Sequence, residues 1–350
     1  MPRPPELRVG IIGTGFAARR THIPAWASLP GARVTALCDS SSEALDAAGR
    51  EVPHATRFTD ARALLESGVD AVSICAWNAA HYPLALAALQ AGKHVLCEKP
   101  LGVSVAEVCA LGEAADARSL VLMAHHPLRF AGPALAVADC VRAGRLGPVH
   151  HVRVRALRRD RAPSLPGFTD AGLSGGGAVL DLGVHALDIA LGVMGFPRPT
   201  RATGTVRTVF AQGDRIAGHW GAWDRDRFTV EDSGTGFVHF ENGATLSLEC
   251  AWLSHEGEEG IACDWFGEAG NLSWPACELT SQGKVFSRES LSVVEAEDPR
   301  HAGVRAFYES VTTGKPSPVS WREAEVSLAV IEALYASSRA GREVEILLKS

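Results

Sequence analysis

The sequence predicts two domains of different architecture. The first is an α/β domain with a doubly wound parallel sheet, and the second an α+β domain with a large, mainly antiparallel sheet. Three observations predict this. The 350 residues exceed what one hydrophobic core normally organises. The first 125 residues alternate short, wholly apolar runs with helical stretches, the pattern of a parallel sheet covered on both faces. After about residue 148 the runs alternate polar and apolar positions instead, as strands with one covered face do. Residues 1–125 and 126–350 are therefore assigned to the two domains.

The runs at 7–12, 33–38, 71–75, 94–97 and 120–124 read as strands buried on both faces. Helices are expected at 17–28, bent by Pro24, and at 41–50, 61–66, 81–91 and 104–117. The 81–91 segment is the clearest of these, because Gly92 follows it as a C-cap. In the second domain, residues 151–157 and 245–252 alternate in strand period. Glu241-Asn242-Gly243-Ala244 joins the latter to 236–240 as a hairpin. Further strands are expected at 203–210, 262–267 and 291–295, and helices at 178–194, 303–313 and 323–339. Segments 1–5 and 212–229 are expected to be mobile. A sheet whose helices cover only part of it predicts a homodimer or homotetramer built on the remaining face.

Composition narrows the function classes. A hydrophobic fraction of 46% and a charged fraction of 21% are ordinary for a globular protein. A net charge of -6 argues against a nucleic-acid partner, which needs a basic face. No apolar run approaches the roughly 18 residues of a membrane span, and Met1 to Arg8 lack the apolar core of a secretory signal. The eight cysteines form no C-x-x-C pair. Cys38, Cys75 and Cys97 end apolar runs, where cysteine acts as a small hydrophobe. A reduced, cytoplasmic protein with neither a disulfide framework nor a metal site is expected.

The run at 7–12 leads into Gly13-Thr14-Gly15-Phe16-Ala17-Ala18, a strand entering a G-x-G-x-x-A turn and then a helix. Gly13 permits the tight turn, Gly15 lets backbone approach a pyrophosphate, and Ala18 allows close helix–strand packing. The helix N-terminus adds N–H donors and partial positive charge. Asp39 closes the second run, placed to accept from an adenosine ribose and to repel a 2′-phosphate. Serines rather than an arginine follow it, so NAD is expected, with NADP the alternative.

Two further segments carry chemistry. Glu98-Lys99-Pro100 follows the 94–97 run, at the carboxyl end of a parallel strand, where open α/β sheets bind ligands. Pro100 restricts Lys99 to an extended backbone, and a cis bond there is one way to fix its direction. Gly175-Gly176-Gly177 leads into the 178–194 helix, which places Asp181 and His185 at i and i+4, on one face near its N-terminus. A histidine there can exchange a proton near neutral pH, and an aspartate can orient it or bind a hydroxyl. Spacing alone equally allows a structural Asp–His pair, with Asp188 as a third polar residue.

On these residues, together with Glu231-Asp232-Ser233 and Phe240-Glu241-Asn242-Gly243-Ala244, the chain resembles the Gfo/Idh/MocA oxidoreductases over nearly its whole length. The resemblance implies an N-terminal Rossmann domain and hydride exchange between a nicotinamide and a hydroxyl-bearing carbon of a sugar, polyol or sugar derivative. It implies that Lys99 and His185 line nicotinamide and substrate and that Asp181 helps bind the substrate. Lys99 and His185 can exchange acid–base roles. The cofactor-binding set is then Gly13, Gly15, Phe16, Ala18, Asp39, Asn78, His81, Glu98 and Lys99. One departure is Ala76-Trp77-Asn78, where the family often has Thr-Pro-Asn; Asn78 is retained to meet the cofactor ribose or phosphates. A redox-neutral hydrolase or lyase that regenerates NAD, and a nucleotide-binding regulator without turnover, are the alternatives.

Three side signals remain. Arg129 offers either a ligand contact or a structural hydrogen bond. Arg158, Arg159 and Arg161 offer either an anion-attracting patch or a solvated face. Trp220 and Trp223 offer aromatic faces for a sugar ring or for packing.

Overall fold

The computed structural model describes residues 6–213, 218–282, 285–294 and 297–348. It divides into two compact units, Met1–Pro127 with Glu297–Ala324, and Leu128–Ala296 with Glu325–Ser350. The first unit takes the chain up to Pro127, and a later segment returns to it. The reason lies in the core: Trp26 packs edge-on against Phe307 of the Pro299–Thr313 helix, and its indole N–H donates to the buried Ser73 hydroxyl at 2.8 Å.

The first unit holds six parallel strands in the order β3-β2-β1-β4-β5-β6. They are β1 (Leu7–Ile12), β2 (Ala32–Cys38), β3 (Thr56–Phe58), β4 (Ala71–Ile74), β5 (His94–Glu98) and β6 (Leu122–His125). Val95, Leu96 and Cys97 are all fully buried, as a strand covered on both faces requires. β3 escapes the sequence reading because Thr56-Arg57-Phe58 is short, exposed at the edge and without an apolar run. The helix after β1 differs too. Residues 18–22 form a wide π turn before Ile23–Ala27, and Pro24 sits in the first turn of that helix, where its missing N–H leaves no bond unmade. Burial raises the Cys38 thiol to about 11 and holds Cys75 and Cys97 well above their ordinary value, so these thiols pack as apolar groups.

The second unit carries a nine-stranded sheet, β14-β13-β12-β11-β7-β10-β9-β8-β15, antiparallel except for the β7–β10 pair. Its strands are β7 (Val149–Leu157), β8 (Pro199–Arg207), β9 (Ser233–Phe240), β10 (Thr245–Ala251), β11 (Gly260–Gly267), β12 (Asn271–Trp274), β13 (Glu278–Gln282), β14 (Phe286–Ser290) and β15 (Val344–Glu345). The expected Asn-Gly hairpin joins β9 to β10, with Gly243 at φ +84°. Val152, Val154 and Ala156 point into the core, while His151, Arg153 and Arg155 line the opposite face. A Cβ on Gly236 would lie 2.3 Å from the Leu334 side chain, and one on Gly234 would lie 2.4 Å from Val179, so bare backbone lets two helices approach β9.

Several elements depart from expectation for identifiable reasons. Residues 208–210 do not extend β8, because the N–H groups of Val209, Phe210 and Ala211 turn to surround the buried Asp232 carboxylate at 2.7–3.0 Å. The strand placed at 291–295 lies earlier, at Phe286–Ser290; residue 295 is outside the described residues. Of the segments expected to be mobile, 1–5 and 214–217 are outside the described residues. Residues 218–229 carry no strand or helix, yet Trp223 donates to the Ala211 carbonyl and Phe228 is fully buried against Trp252. Among the described residues no single helix is long and apolar enough to cross a membrane.

Candidate active site

The glycine turn is built as its chemistry demands. Gly13 has φ +84°, and a Cβ there would sit 2.6 Å from the Cys75 carbonyl carbon, so only glycine fits between the ends of β1 and β4. Its N–H donates to the Cys38 carbonyl at 2.8 Å. A Cβ on Gly15 would meet nothing within 4 Å, which leaves open space where backbone can approach a phosphate. Phe16 beside it is 83% exposed, and Ala18 is fully buried at the start of the π turn. These features fit a dinucleotide.

Asp39 closes the other side of the turn. Its Oδ2 accepts from the Thr14 N–H at 2.7 Å and hydroxyl at 3.1 Å, and its Oδ1 from the Ser41 N–H at 2.9 Å. The carboxylate thus pins the glycine turn to the end of β2 and retains further acceptor capacity. Asn78 opens the helix Asn78–Gln90, three residues earlier than expected, with the exposed Trp77 as its extended N-cap.

The other members of the expected cofactor set have structural engagements. His81 is buried, with Nδ1 2.7 Å from the Pro100 carbonyl and Nε2 3.0 Å from the Ala76 carbonyl. It ties the loop after β4 to the loop after β5, and burial lowers its pKa while the two carbonyls oppose that shift. Glu98 at the end of β5 turns its Oε1 to His22 and His125, each at 3.0 Å. Lys99 follows, joined to Pro100 by a cis peptide bond.

In the second unit the expected continuous helix breaks at Leu182 into Ala178–Asp181 and Gly183–Met194, and the stretch Ala171–Asp181 meets the latter with a bend of 46°. Asp181 therefore ends one helix, and His185 stands half-buried in the first turn of the next. The buried Asp181 carboxylate accepts from the Trp252 indole N–H at 3.0 Å and lies 3.7 Å from the Arg158 guanidinium. Arg158 also lies over the Trp220 ring, 4.7 Å from its centroid.

Glu231 organises this segment, and the sequence reading gave it no role there. Its carboxylate accepts from the Gly177 and Val179 N–H groups, both at 2.9 Å, and from the Tyr335 hydroxyl at 2.7 Å. It satisfies the N-terminal donors of the helix that ends in Asp181. The glycines make room for it: a Cβ on Gly177 would lie 1.9 Å from the Glu231 carbonyl, and one on Gly176 would lie 2.4 Å from the Tyr335 hydroxyl. Burial pushes the Glu231 carboxyl above the ordinary range against the pull of these donors. Glycines before an apolar helix were the available signal, but the carboxylate comes from 54 positions away.

The side signals resolve toward structure. Arg129 grips Asp188 with two bonds at 2.7 and 2.8 Å and lies over Phe196. Arg159 donates to the Glu256 and Gly257 carbonyls, and Arg161 faces Glu259. The arginine run is thus engaged within the unit.

A family model described as an oxidoreductase family with an NAD-binding Rossmann fold matches residues 7–126, and a GFO/IDH/MocA C-terminal domain matches residues 134–273. The chain belongs to the GFO/IDH/MocA oxidoreductase family. It is 32% identical to the D-glucoside 3-dehydrogenase of Escherichia coli, over 97% of each chain. It is 29% identical to the D-apiose dehydrogenase of Paraburkholderia graminis, over 96% of this chain and 88% of that one. A solved oxidoreductase domain protein from Kribbella flavida superposes with a TM-score of 0.86 at 25% identity, covering 99% of this chain and all of its own. The first unit is accordingly an NAD-binding Rossmann domain, with its glycine turn at Gly13 to Ala18.

Removing the Glu231 carboxylate leaves two helix N–H groups and a buried hydroxyl unmatched. Glu231→Ala is expected to destabilise the protein by about 3 kcal/mol, and Tyr335→Phe by about 1 kcal/mol, read from urea unfolding midpoints. Equal stability of Glu231→Ala and wild type would refute the clamp.

Proposed function

We propose that this family member is an NAD-dependent dehydrogenase or reductase acting on a hydroxyl-bearing carbon of a sugar, polyol or sugar derivative. The observation that carries the proposal is the Asp181 carboxylate, fixed by Trp252 and Arg158, four residues before the half-buried His185 imidazole. The dehydrogenases of D-glucosides and D-apiose among its relatives support the sugar class.

NAD supplies the hydride acceptor when bound. Gly13 and Gly15 would give the backbone room for its pyrophosphate, with Phe16 and Ala18 completing the turn; Asp39 would accept from its ribose, and Asn78, at a helix start, would meet its ribose or phosphates. His185 takes the proton of the reacting hydroxyl, and the Lys99 ammonium stabilises negative charge developing on that oxygen. Asp181, an acceptor only while ionised, receives a hydrogen bond from a substrate hydroxyl. In the reverse direction His185 returns the proton.

His185→Ala and Lys99→Ala should each lower kcat by about 10²–10⁴-fold, with NAD affinity nearly unchanged by fluorescence titration. The assay is the rise of reduced-nicotinamide absorbance over a panel of inositols, aldoses, sugar acids and glycosides. Tight NAD binding with no absorbance change, but with cleavage of a glycoside, would replace this reading by a redox-neutral one. Asp39→Ala should narrow the preference for NAD over NADP by about tenfold, equivalent to one charged hydrogen bond of about 1.5 kcal/mol. An unchanged ratio would mean that another residue reads the ribose.

The uncovered face of the nine-stranded sheet supports self-association. His151 stacks near Phe237 and Phe266, with ring centroids 6.1 and 5.8 Å away, and Arg153 lies over Phe266. A second copy covering this face would remove those rings from water. Phe237→Glu should then shift sedimentation velocity from an oligomer toward the monomer, and a wild-type protein that sediments as a monomer would sink the idea.

A further inference from the structure

We infer that His22, Glu98 and His125 form a buried positioning network that fixes the backbone of Lys99 at the end of β5. The inference rests on the role proposed for Lys99, gives Glu98 a positioning role and adds His22 and His125. The three come from separate elements: His22 from the π turn after the glycine turn, Glu98 from β5 and His125 from the end of β6. Their ring and carboxylate atoms lie within 4.8 Å of one another, and the two imidazole centroids are 4.8 Å apart.

Proton counting defines the network. Glu98 Oε1 faces two ring nitrogens at 3.0 Å, so each must donate. His125 meets a second acceptor on its other side, the Arg300 carbonyl, 3.1 Å from Nε2. With the Glu98 carboxylate at one nitrogen and the Arg300 carbonyl at the other, His125 holds both protons as an imidazolium, whereas His81 faces two carbonyls and burial lowers it. His22 donates from Nε2, and its buried Nδ1 has no partner among the described residues, which suits a bare lone pair. The trio is thus a neutral His22, a carboxylate and an imidazolium, with no net charge to leave stranded in the core. Electrostatics agree in direction: burial lowers His22, the carboxylate raises His125 against burial, and the two histidines hold Glu98 well below the ordinary range. Arg300 opposes the charge on His125, while Glu98 raises the Cys75 and Cys97 thiols further.

The same three groups have the chemistry of a divalent-metal site, and the proton count argues against that use. A metal on His22 Nε2 would force the ring proton onto the buried Nδ1, which faces no acceptor among the described residues. The hydrogen-bonded network satisfies the ring without that penalty. Its consequence for Lys99 runs through the second carboxylate oxygen. Glu98 Oε2 lies 3.3 Å from the Lys99 backbone N, so the oxygen that is free of the histidines accepts from the residue carrying the ammonium. The helix of the nucleotide turn, the ends of β5 and β6, and the start of the Pro299–Thr313 helix are thereby tied at one carboxylate.

The test uses the full chain and reads position as well as activity. In ¹⁵N-histidine-labelled wild type, one imidazole is expected to remain doubly protonated at pH 8 and another to remain neutral with its proton on Nε2. Glu98→Gln should abolish the imidazolium and speed hydrogen exchange of the Lys99 amide about tenfold. With a substrate from the panel, the same variant should lose about a hundredfold in kcat while KM for that substrate holds. His22→Gln, whose amide can still donate, should retain far more activity than His22→Leu. Both histidines neutral in wild type, stoichiometric zinc in the purified protein, or unchanged Lys99 exchange in folded Glu98→Gln would each overturn the network. An active Lys99→Ala variant would instead remove the role on which the inference rests. Loss of activity in Lys99→Ala but not in Glu98→Gln would remove the network alone.

Discussion

Glu231 accepts from two helix N–H groups and a tyrosine hydroxyl, and much of the second unit is arranged so that it can. Gly176 and Gly177 are bare because the carboxylate, its carbonyl and Tyr335 occupy the space their side chains would fill. The short helix they start ends in Asp181, and the next begins two residues later and carries His185. A buried carboxylate without donors would be costly enough to rearrange its surroundings. The need to match it therefore fixes a turn, a helix start and, through them, the two residues proposed to meet substrate. Its neighbour Asp232 does the same for the loop after β8, by collecting the N–H groups of residues 209–211.

The first unit solves the same problem with different partners. Asp39 holds the glycine turn through Thr14, and Glu98 holds the end of β5 through two histidines. Parallel strands end in loops with few backbone partners of their own, so carboxylates and buried imidazoles supply the missing bonds. His81 extends this pattern between the loops after β4 and β5. Glu98 and His81, which the sequence places beside the cofactor, also tie the loops at the sheet's end to one another.

That distinction explains where residue-by-residue reading stopped. Lys99, Asp181 and His185 stand out because each follows a strand or opens a helix beside glycines, a pattern that local chain geometry produces. Arg129 and the 158–161 arginines stand out only as charge, and charge does not identify its partner. Asp188, Glu259 and the 256–257 carbonyls meet them from 59 to 98 positions away. Likewise the 178–194 helix looks continuous because helical period persists through Leu182. The bend at that point comes with close packing of Gly183, where a Cβ would lie 3.3 Å from the Cys250 sulfur on β10.

The sequence by itself determined the two architectures, the strand–turn–helix at Gly13 and the positions of the three reacting-centre candidates. Each is encoded in local period, in glycine's freedom at positive φ, or in residue chemistry at a strand end. Tertiary structure alone decided which carboxylates carry these features, because hydrogen-bond matching is set by distance in space. It also returned residues 297–324 to the first unit, where Phe307 completes the packing around Trp26. An apolar face states that it must be covered; only the assembled core determines by what.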